Sequence, residues 1–436
     1  MKRIVLLLAF VLIGSAAFAG EGETPAKFKL YGFIRNFTVV DSREVNGGTH
    51  DLYFYMPKDR SLNAVGTDLN DGLNWKSVSL TTRLGLDVSG YQIGEMKIAG
   101  KVEADFYSLN GTGTANTIAQ FRLRQAYMGL SWGLGEKSSL LVNIGQTWHP
   151  MGADLPHCTN LESGAPFNPF NRSPQVMAHY TTGALTFTGG LLYLSQYLPM
   201  DAQANAKSVA PYKYGLPELF LGIAYKTGPY VMKAGVDVIN TKPIRAVSDV
   251  DERGNVILGE NGKPNTWLAG GLLTAFSPYV FLQYTNGLFQ LRAKSILAQS
   301  GEHLNILSGY GIASYNAAVH SYTYTPMKDW ASFVSFQYGK EVQVMAMAGY
   351  MKQLGTTQDL MDPSKIWINT AAATNIQEAF RVTPTIAWNI GKFTLSLEYD
   401  FTYAKFGEGA RNARGLYSQF HWLPNHRVIN MVKFNF

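Results

Sequence analysis

Apolar and polar side chains alternate along many segments of this chain. Residues 80–88 place their Leu and Val side chains on one face and Thr81, Arg83 and Asp87 on the other. Segments 96–106 and 393–403 show the same arrangement. Successive side chains of a β-strand point to opposite faces, so this spacing predicts strands that have one apolar and one polar face.

The apolar faces of these strands distinguish a membrane barrel from a soluble β-sandwich. Aromatic girdles at both ends of an apolar band are typical of barrels that face lipid. The predicted strands have roughly 9–11 residues, which matches a tilted membrane crossing and exceeds the mean of roughly 5–6 residues in soluble sheets. We therefore predict an all-β, transmembrane antiparallel β-barrel. Its apolar faces often begin or end in aromatic residues, namely Phe106, Trp388, Phe393, Tyr403, Phe434 and Phe436.

Sixteen strands can be placed along the chain, an even number as bacterial barrels require. A further strand near 415–421 leaves eighteen as an alternative. The connections alternate in length, which predicts short periplasmic turns and long external loops, the latter at 42–77, 149–173, 241–265, 353–377 and 404–425. The predicted strands are 28–40, 78–91, 95–107, 119–132, 139–148, 174–182, 184–195, 217–227, 230–241, 266–284, 287–299, 318–338, 341–352, 378–389, 392–404 and 426–436.

The composition excludes two other classes of protein. The chain has 436 residues, of which 46% are hydrophobic and 16% charged, and its mean hydropathy is −0.06. A helical membrane protein needs apolar runs of roughly 18 residues or more, and none follows the first twenty residues. A disordered chain would contain far fewer aromatic residues than the 24 Tyr, 24 Phe and 8 Trp found here. Alternation explains the mean hydropathy near zero, because apolar residues expected to face lipid and polar residues expected to face a pore offset each other in the mean.

The N-terminus predicts a signal peptide at residues 1–19. Lys2 and Arg3 precede an apolar run at 4–13, and Ala17-Phe18-Ala19 fits the small-x-small cleavage rule. A membrane anchor is the alternative, but ten apolar residues are too few to cross roughly 30 Å of hydrocarbon. The chain is therefore expected to be exported, with residues 20–436 forming a single transmembrane barrel domain.

The C-terminus alternates as well and ends on an aromatic residue. Val428, Val432 and Phe434 share a face with Phe436, the last residue, within the segment RVINMVKFNF. This ending resembles that of bacterial outer-membrane barrels, whose terminal strand is read by the barrel-assembly machinery. The resemblance implies a location in the outer membrane of a Gram-negative bacterium. The alternative is a soluble chain that ends on Phe by chance.

Charged residues on the polar faces are candidates for lining the pore. Nine are basic and six are acidic, which gives the hypothesis of a mild anion preference, because fixed lumen charges set the ion preference of a water-filled pore. Mutual neutralisation within the wall is an equally open alternative. The candidates are Arg83, Lys97, Lys101, Arg122, Arg124, Lys233, Arg292, Lys294 and Arg381, with Asp87, Glu103, Asp105, Asp237, Glu398 and Asp400.

The segment 148–175 is a candidate constriction loop. It contains Pro150, Pro156, Pro166 and Pro169 among several glycines and few charges. Loops of this length without secondary structure are usually functional or disordered, and its aromatic residues argue against disorder. It follows the fifth predicted strand, where general porins fold a loop into the lumen. A rigid external cap or a trimer contact is the alternative. Its candidate residues are Trp148, His149, Asp154, His157 and Arg172.

Three segments resemble the DcaP-like porin family. They are the region around this loop at 145–176, the opening KLYGFIRNF at 29–37 and TTRLGLDVSGY at 81–91. The resemblance extends over much of the chain, although its motifs are less specific than an enzyme signature. It implies a trimeric outer-membrane diffusion channel that prefers small anionic or carboxylate-bearing solutes.

Metal binding and catalysis receive little support from the sequence. His149, Asp154, His157 and Cys158 lie close together and could ligate a soft divalent metal, but histidines in loops are commoner than such sites, so we predict no metal site. Cys158 is the only cysteine and is expected to be buried. The chain has no G-x-S-x-G elbow, H-E-x-x-H motif, P-loop or dinucleotide fingerprint. We expect no enzymatic activity, cofactor or nucleic-acid partner.

Taken together, these patterns predict an outer-membrane porin through which small hydrophilic solutes diffuse passively. Its expected partners are membrane lipid, the solutes, the assembly machinery and two further copies in a homotrimer. The alternative is a structural or adhesive barrel with a closed pore, whose external loops bind a partner.

Overall fold

Sixteen antiparallel strands form one closed barrel in the computed structural model of the chain. The structure describes residues 26–48, 52–107, 120–160, 164–253, 255–368 and 375–436, so the predicted signal peptide lies outside it. The barrel strands are β1 Lys27–Arg43, β2 Asp71–Val78 with Arg83–Ile93, β3 Met96–Tyr107, β4 Gln120–Gly133, β5 Ser138–Trp148, β6 Arg172–Thr182, β7 Leu185–Leu192, β8 Leu216–Thr227, β9 Tyr230–Thr241, β10 Leu273–Asn286, β11 Phe289–Gln299, β12 Ser321–Gly339, β13 Val342–Thr356, β14 Ile376–Val382 with Thr385–Ile390, β15 Phe393–Arg411 and β16 Tyr417–Asn435.

The first and last strands close the barrel. β1 pairs with β16 in a register that includes Phe33 opposite Asn435 and Asp41 opposite Arg427. The guanidinium of Arg427 donates two hydrogen bonds to the carboxylate of Asp41, at 2.7 and 2.8 Å, and both side chains are fully buried. A bidentate, charge-assisted pair of this kind is among the stronger polar contacts in proteins. It fixes the register at the seam of the barrel.

The strand positions confirm the sixteen predicted strands and correct several of their ends. The predicted loop at 404–425 is wrong, because β15 and β16 extend to Arg411 and Tyr417 and leave a turn of only five residues, 412–416. The eighteen-strand alternative fails with it, since 415–421 overlaps the beginning of β16. The predicted strand 266–284 also began too early, because β10 starts at Leu273 and Thr266–Leu268 belongs to the preceding connection.

One proline interrupts the hydrogen-bonded ladder of β14. β14 ends its first part at Val382 and resumes at Thr385, with Pro384 between. Proline has no amide hydrogen to donate to a neighbouring strand. Both parts of β14 still pair with β13 and β15, so the strand continues past the break.

The two faces of the barrel have opposite character. Leu84, Val102 and Leu397 are 42, 49 and 46% exposed on the outer surface, whereas Glu103 and Glu398, on alternating positions, are 5% exposed or less. This is the reverse of a soluble protein, in which apolar side chains are buried and charges are exposed. The arrangement fits an apolar outer wall and a polar interior.

The connections differ in length at the two rims. Turns of two to four residues join β2 to β3, β8 to β9 and β10 to β11, among others, and Gly287 in the last of these has a φ of 56°. Glycine adopts that conformation without the steric cost that a side chain imposes. The opposite rim carries longer connections.

The longer connections contain short elements of their own. In the part of the chain that is described, no helix is long and apolar enough to cross a membrane. The short strands are Val45–Gly48, Tyr53–Pro57, Met200–Asp201, Ala206–Lys207, Ala246–Ser248, Thr266–Leu268, Gly309–Asn316 and Ile366–Ile368, with an α-helix at Ala210–Lys213 and 3₁₀ turns at Gly301–Leu304 and Ala317–Val319.

Two of these connections turn into the barrel. The described parts of the connection between β5 and β6, residues 149–160 and 164–171, are here called the inward loop. Residues 300–308, the second inward segment, lie between β11 and β12. Met151, Phe167 and Leu304 from these segments pack in one buried cluster with wall residues such as Phe220 and Phe333. The apolar composition that is unusual for an exposed loop therefore reflects burial inside the barrel.

Candidate functional site

The tip of the inward loop is bound to the wall at β15. The backbone amide of Asn160 donates a hydrogen bond of 2.8 Å to the carboxylate of Glu398, and the amide of Thr159 donates to the other oxygen of the same carboxylate. The side-chain amide of Asn160 also donates to Asp400 at 3.2 Å. Glu398 and Asp400 are fully buried. These two sequence-predicted lumen residues therefore hold the loop tip.

The middle of the loop is held by cations of β9 and β11. The ammonium of Lys294 donates to the carbonyl oxygens of Met151 and Asp154 at 2.7 and 2.8 Å, and the guanidinium of Arg292 donates to the carbonyl of Leu155 at 2.7 Å. Lys233 forms a 2.8 Å ion pair with the carboxylate of Asp154. These three predicted lumen cations thus make contact with this part of the loop.

Two further contacts fix the remainder of the loop. Arg381 of β14 donates to the carbonyl of Ala165 at 2.8 Å, and the hydroxyl of Ser335 on β12 accepts a hydrogen bond of 3.1 Å from the amide of His157. Gly349 on β13 leaves room for the ring of Phe167, because a Cβ on this glycine would lie 2.5 Å from the ring carbon Cγ. The loop therefore lies against the inner wall from β9 to β15.

Trp148 and Arg172 lie at the base of the loop, on the strands that it connects. Trp148 ends β5, Arg172 begins β6, and the two residues are register partners. The guanidinium of Arg172 lies 4.7 Å from the centre of the Trp148 ring and 5.1 Å from that of Phe170. The predicted bounds of 148–175 were therefore too wide, because the strands continue to these residues.

An ion-pair network lines β2, β3 and β4 on the opposite side of the barrel. The guanidinium of Arg122 forms a bidentate pair with Asp105 at 2.8 and 2.9 Å. Arg124 bridges Asp105 and Glu103 at 2.6 and 2.8 Å, and Arg83 lies 3.7 Å from Glu103. The sequence left open whether charged residues of the wall neutralise one another. In this part of the wall they do so through these ion pairs.

Two lysines of the predicted set lie at the edge of this network. Lys101 pairs with Asp87 at 2.7 Å and donates to the hydroxyl of Tyr31 at 2.9 Å. Lys97 is exposed near the short-turn rim, opposite Ser131 of β4. The predicted lumen residues thus separate into a group that binds the loop and a group that forms the network, with Lys97 apart from both.

The four residues considered for a metal site are not brought together. Asp154 pairs with Lys233, while His157 lies near Ser335 and Arg292. Burial, and to a smaller degree the positive charge of Arg292, lowers the pKa of His157 to about 4. Cys158 is buried, as expected.

The sequence did not predict the second inward segment or Glu218, although His149 and Asp237, which it also meets, were among the candidates. The amide of Phe170 donates to the carbonyl of Leu304 at 2.9 Å, which joins the two inward segments. His149, the remaining histidine considered for the metal site, lies beside His303, Glu218 and Asp237. All four side chains are buried. The composition of the second inward segment could have indicated its burial, because large apolar residues are rare in a short exposed connection. These residues are Leu304, Ile306 and Leu307.

Comparison with known proteins identifies the fold. Neither a family model nor a curated relative matches the sequence. Among solved structures, the outer membrane channel DcaP of Acinetobacter baumannii is 17% identical and superimposes with a TM-score of 0.60, covering 96% of this chain and 99% of that one. The chain has the fold of the outer-membrane porins.

Further structures share this porin fold at lower similarity. An anion-selective porin from Comamonas acidovorans is 12% identical, with a TM-score of 0.53 over 94% of this chain and 100% of that one. OmpT of Vibrio cholerae is 13% identical, with a TM-score of 0.50 over 94% of this chain and 98% of that one. The likeness covers at least 94% of this chain in each case.

Proposed function

We propose that this chain is an outer-membrane porin through which small hydrophilic solutes diffuse passively. The observation that supports it most directly is the distribution of polar groups inside the barrel. The inward loop lies against β9 to β15, while the charged network of β2 to β4 occupies the opposite wall. A space bounded by a packed loop and a charged wall suits solutes that remain hydrated. Passage through it breaks no covalent bond, so we assign no enzymatic step.

A preference for small anions, including carboxylates, forms the second part of the proposal. The network contains three guanidinium groups and two carboxylates. The side chain of Arg122 is 30% exposed and that of its partner Asp105 only 1%. Arg83 and Glu103 differ in the same direction, at 18 and 6%. A solute beside Arg122 or Arg83 would therefore meet positive charge before it meets these carboxylates.

Location and assembly follow from the same proposal. The apolar outer wall would face the lipid of the outer membrane, with the short turns in the periplasm and the long connections outside. Phe436 ends beside β1, where its amide donates to the carbonyl of Gly32 at 3.1 Å. We infer that this strand is read by the barrel-assembly machinery and that the mature protein is a homotrimer.

Solute uptake into liposomes separates this function from its alternative. Proteoliposomes would be placed in isosmotic solutions of a pentose, a disaccharide, a small dicarboxylate and a diamine, and swelling would be followed by light scattering. A porin of this kind gives swelling that slows as solute size increases and is faster for the dicarboxylate than for the diamine. A structural or adhesive barrel with a closed pore gives no swelling with any solute.

A further inference from the structure

Four ionisable side chains from four elements meet between the inward loop and the wall. His149 comes from the inward loop, His303 from the second inward segment, Glu218 from β8 and Asp237 from β9. None of the four side chains is more than 1% exposed. Nε2 of His149 lies 2.6 Å from Glu218, and Nε2 of His303 lies 2.8 Å from Asp237. The cross distances, from His149 to Asp237 and from His303 to Glu218, are 3.6 and 3.8 Å.

A backbone contact decides which nitrogen of His149 carries a proton. The amide of Met151 donates a hydrogen bond of 3.1 Å to Nδ1 of His149. A nitrogen that accepts a hydrogen bond carries no proton, so the proton of the neutral ring is on Nε2 and is donated to Glu218. In this arrangement Nε2 of His149 is the hydrogen-bond donor to Glu218, so His149 contacts the carboxylate and is not one of the proposed ligands.

The second oxygen of each carboxylate has no partner. Each carboxylate meets one imidazole through its other oxygen. Oε2 of Glu218, Oδ1 of Asp237 and Nδ1 of His303 have no hydrogen-bond partner among the described residues. A buried carboxylate oxygen that lacks a partner is costly, because burial removes its hydration. A bound cation would supply a partner for both oxygens.

We propose that Glu218, Asp237 and His303 bind one divalent transition-metal ion, and that His149 orients Glu218 from outside the coordination sphere. One imidazole nitrogen and two carboxylates form a donor set that zinc and its neighbours accept. Donors about 2.1 Å from a tetrahedral ion lie about 3.4 Å apart, and His303 lies 2.8 Å from Asp237 and 3.8 Å from Glu218. The two carboxylates are also close to each other, because candidate ligand atoms of Glu218 and Asp237 lie within 4.8 Å of one another.

The ion would hold three parts of the barrel together. It would attach the second inward segment to the wall through His303, and the inward loop would join it through the hydrogen bond from His149 to Glu218. The charge of the site would also balance, since two carboxylates neutralise one divalent ion. This role concerns the position of the loops and is independent of which solutes pass through the barrel.

Metal binding by the full-length protein in detergent tests the proposal. After removal of metals by a chelator, the protein is dialysed against limiting Zn²⁺ and its metal content is measured, and Co²⁺ is added separately as a spectroscopic probe. We expect about one Zn²⁺ per chain and the intense visible absorption of cobalt in a low-coordinate site. Asp237→Asn and His303→Gln should each weaken binding by more than 100-fold. His149→Gln should weaken it by roughly 10–100-fold, as substitutions outside the coordination sphere do.

A surface histidine provides the matched control. His421 lies between Glu408 and Asp59, with Nε2 2.7 Å from the Asp59 carboxylate, and is more accessible than the cluster. His421→Gln should retain the bound Zn²⁺. Loss of binding in His421→Gln, or equal binding in wild type, Asp237→Asn and His303→Gln, would overturn the proposal.

The wild-type protein decides the outcome if the variants do not fold. Folding of each variant is checked first by the heat-dependent shift in gel mobility. If Asp237→Asn and His303→Gln fail this check, the result rests on the cobalt spectrum and zinc content of the wild type. A wild-type protein that takes up no Zn²⁺ and gives only the pale spectrum of hydrated Co²⁺ would exclude the site.

Discussion

The amide of Asn160 donates a hydrogen bond of 2.8 Å to the buried carboxylate of Glu398, although the two residues are 238 positions apart in the chain. Asn160 is at the tip of the inward loop and Glu398 is on the wall strand β15. The neighbouring amide of Thr159 donates to the same carboxylate. The carboxylate of Glu398 thus holds this end of the loop against the wall.

Glu398→Gln should release the loop tip. A neutral amide presents one acceptor and one donor, so one of the two loop amides loses its acceptor, at a cost of about 1–3 kcal/mol for a buried group. We expect larger fluctuations of the open-channel current in single-channel recordings. The control is Glu341→Gln in the exposed turn between β12 and β13. Equal current noise in wild type and Glu398→Gln would show that this contact does not hold the loop.

Gly349→Ala should displace the loop from β13. The added Cβ would lie 2.5 Å from Cγ of Phe167, which is closer than atoms in contact approach. Overpacking of this kind costs about 1–3 kcal/mol, so the temperature of the heat-dependent mobility shift should fall. Gly100→Ala is the matched control, because its Cβ would have no neighbour closer than 3.6 Å. An equal decrease in the temperature of the mobility shift in both variants would contradict the packing described for Phe167.

Low pH should weaken the attachment of the inward loop, because it favours protonation of His157. Its pKa in the folded protein is about 4, below the ordinary value of 6.5, because the site is buried and faces Arg292. The folded state therefore favours the neutral ring, and stability present above pH 6.5 is lost as the pH falls towards 4. Thermal unfolding measured between pH 7.5 and 4.5 should show a smaller decrease in His157→Gln than in wild type. His421→Gln serves as the control, and identical profiles for all three proteins would refute the role of His157.

Arg122→Gln should shift the ion preference towards cations. The substitution removes the more exposed member of the pair with Asp105 and leaves the carboxylate uncovered. The measurement is the reversal potential in a potassium chloride gradient. Lys352→Gln, which removes an exposed charge from an outward-facing position of β13, should leave that potential unchanged. A shift towards anions in Arg122→Gln would contradict the lumen charge distribution.

The strands could be predicted from the sequence because their signal is local. Alternation around Arg83 or Glu398 identifies a strand and its polar face from a few neighbouring residues. The ends of β15 and β16 were missed because both strands continue past the apolar band, where alternation weakens around Gly407 and Gly409. The structure places the residues of that region in paired strands joined by a short turn.

The contacts of the inward loop could not be predicted, because they join residues that are distant in sequence. The length and proline content of the loop indicated a function, but its partners are set by the closure of the barrel. The amide of His157 meets Ser335 across 178 positions, and His149 meets Glu218 across 69. No local sequence pattern predicts such distant pairs, so the cluster around Glu218 can be identified only from the folded structure.

Single-channel recording in a planar lipid bilayer tests the porin function most directly. The purified full-length protein would be added to one side of the membrane in potassium chloride, and the current would be followed at several voltages. Discrete steps to a steady current that is proportional to voltage are the predicted result, because the proposed function requires an open path between the inward loop and the charged wall. An inserted, heat-modifiable protein that gives no current steps would contradict a water-filled channel.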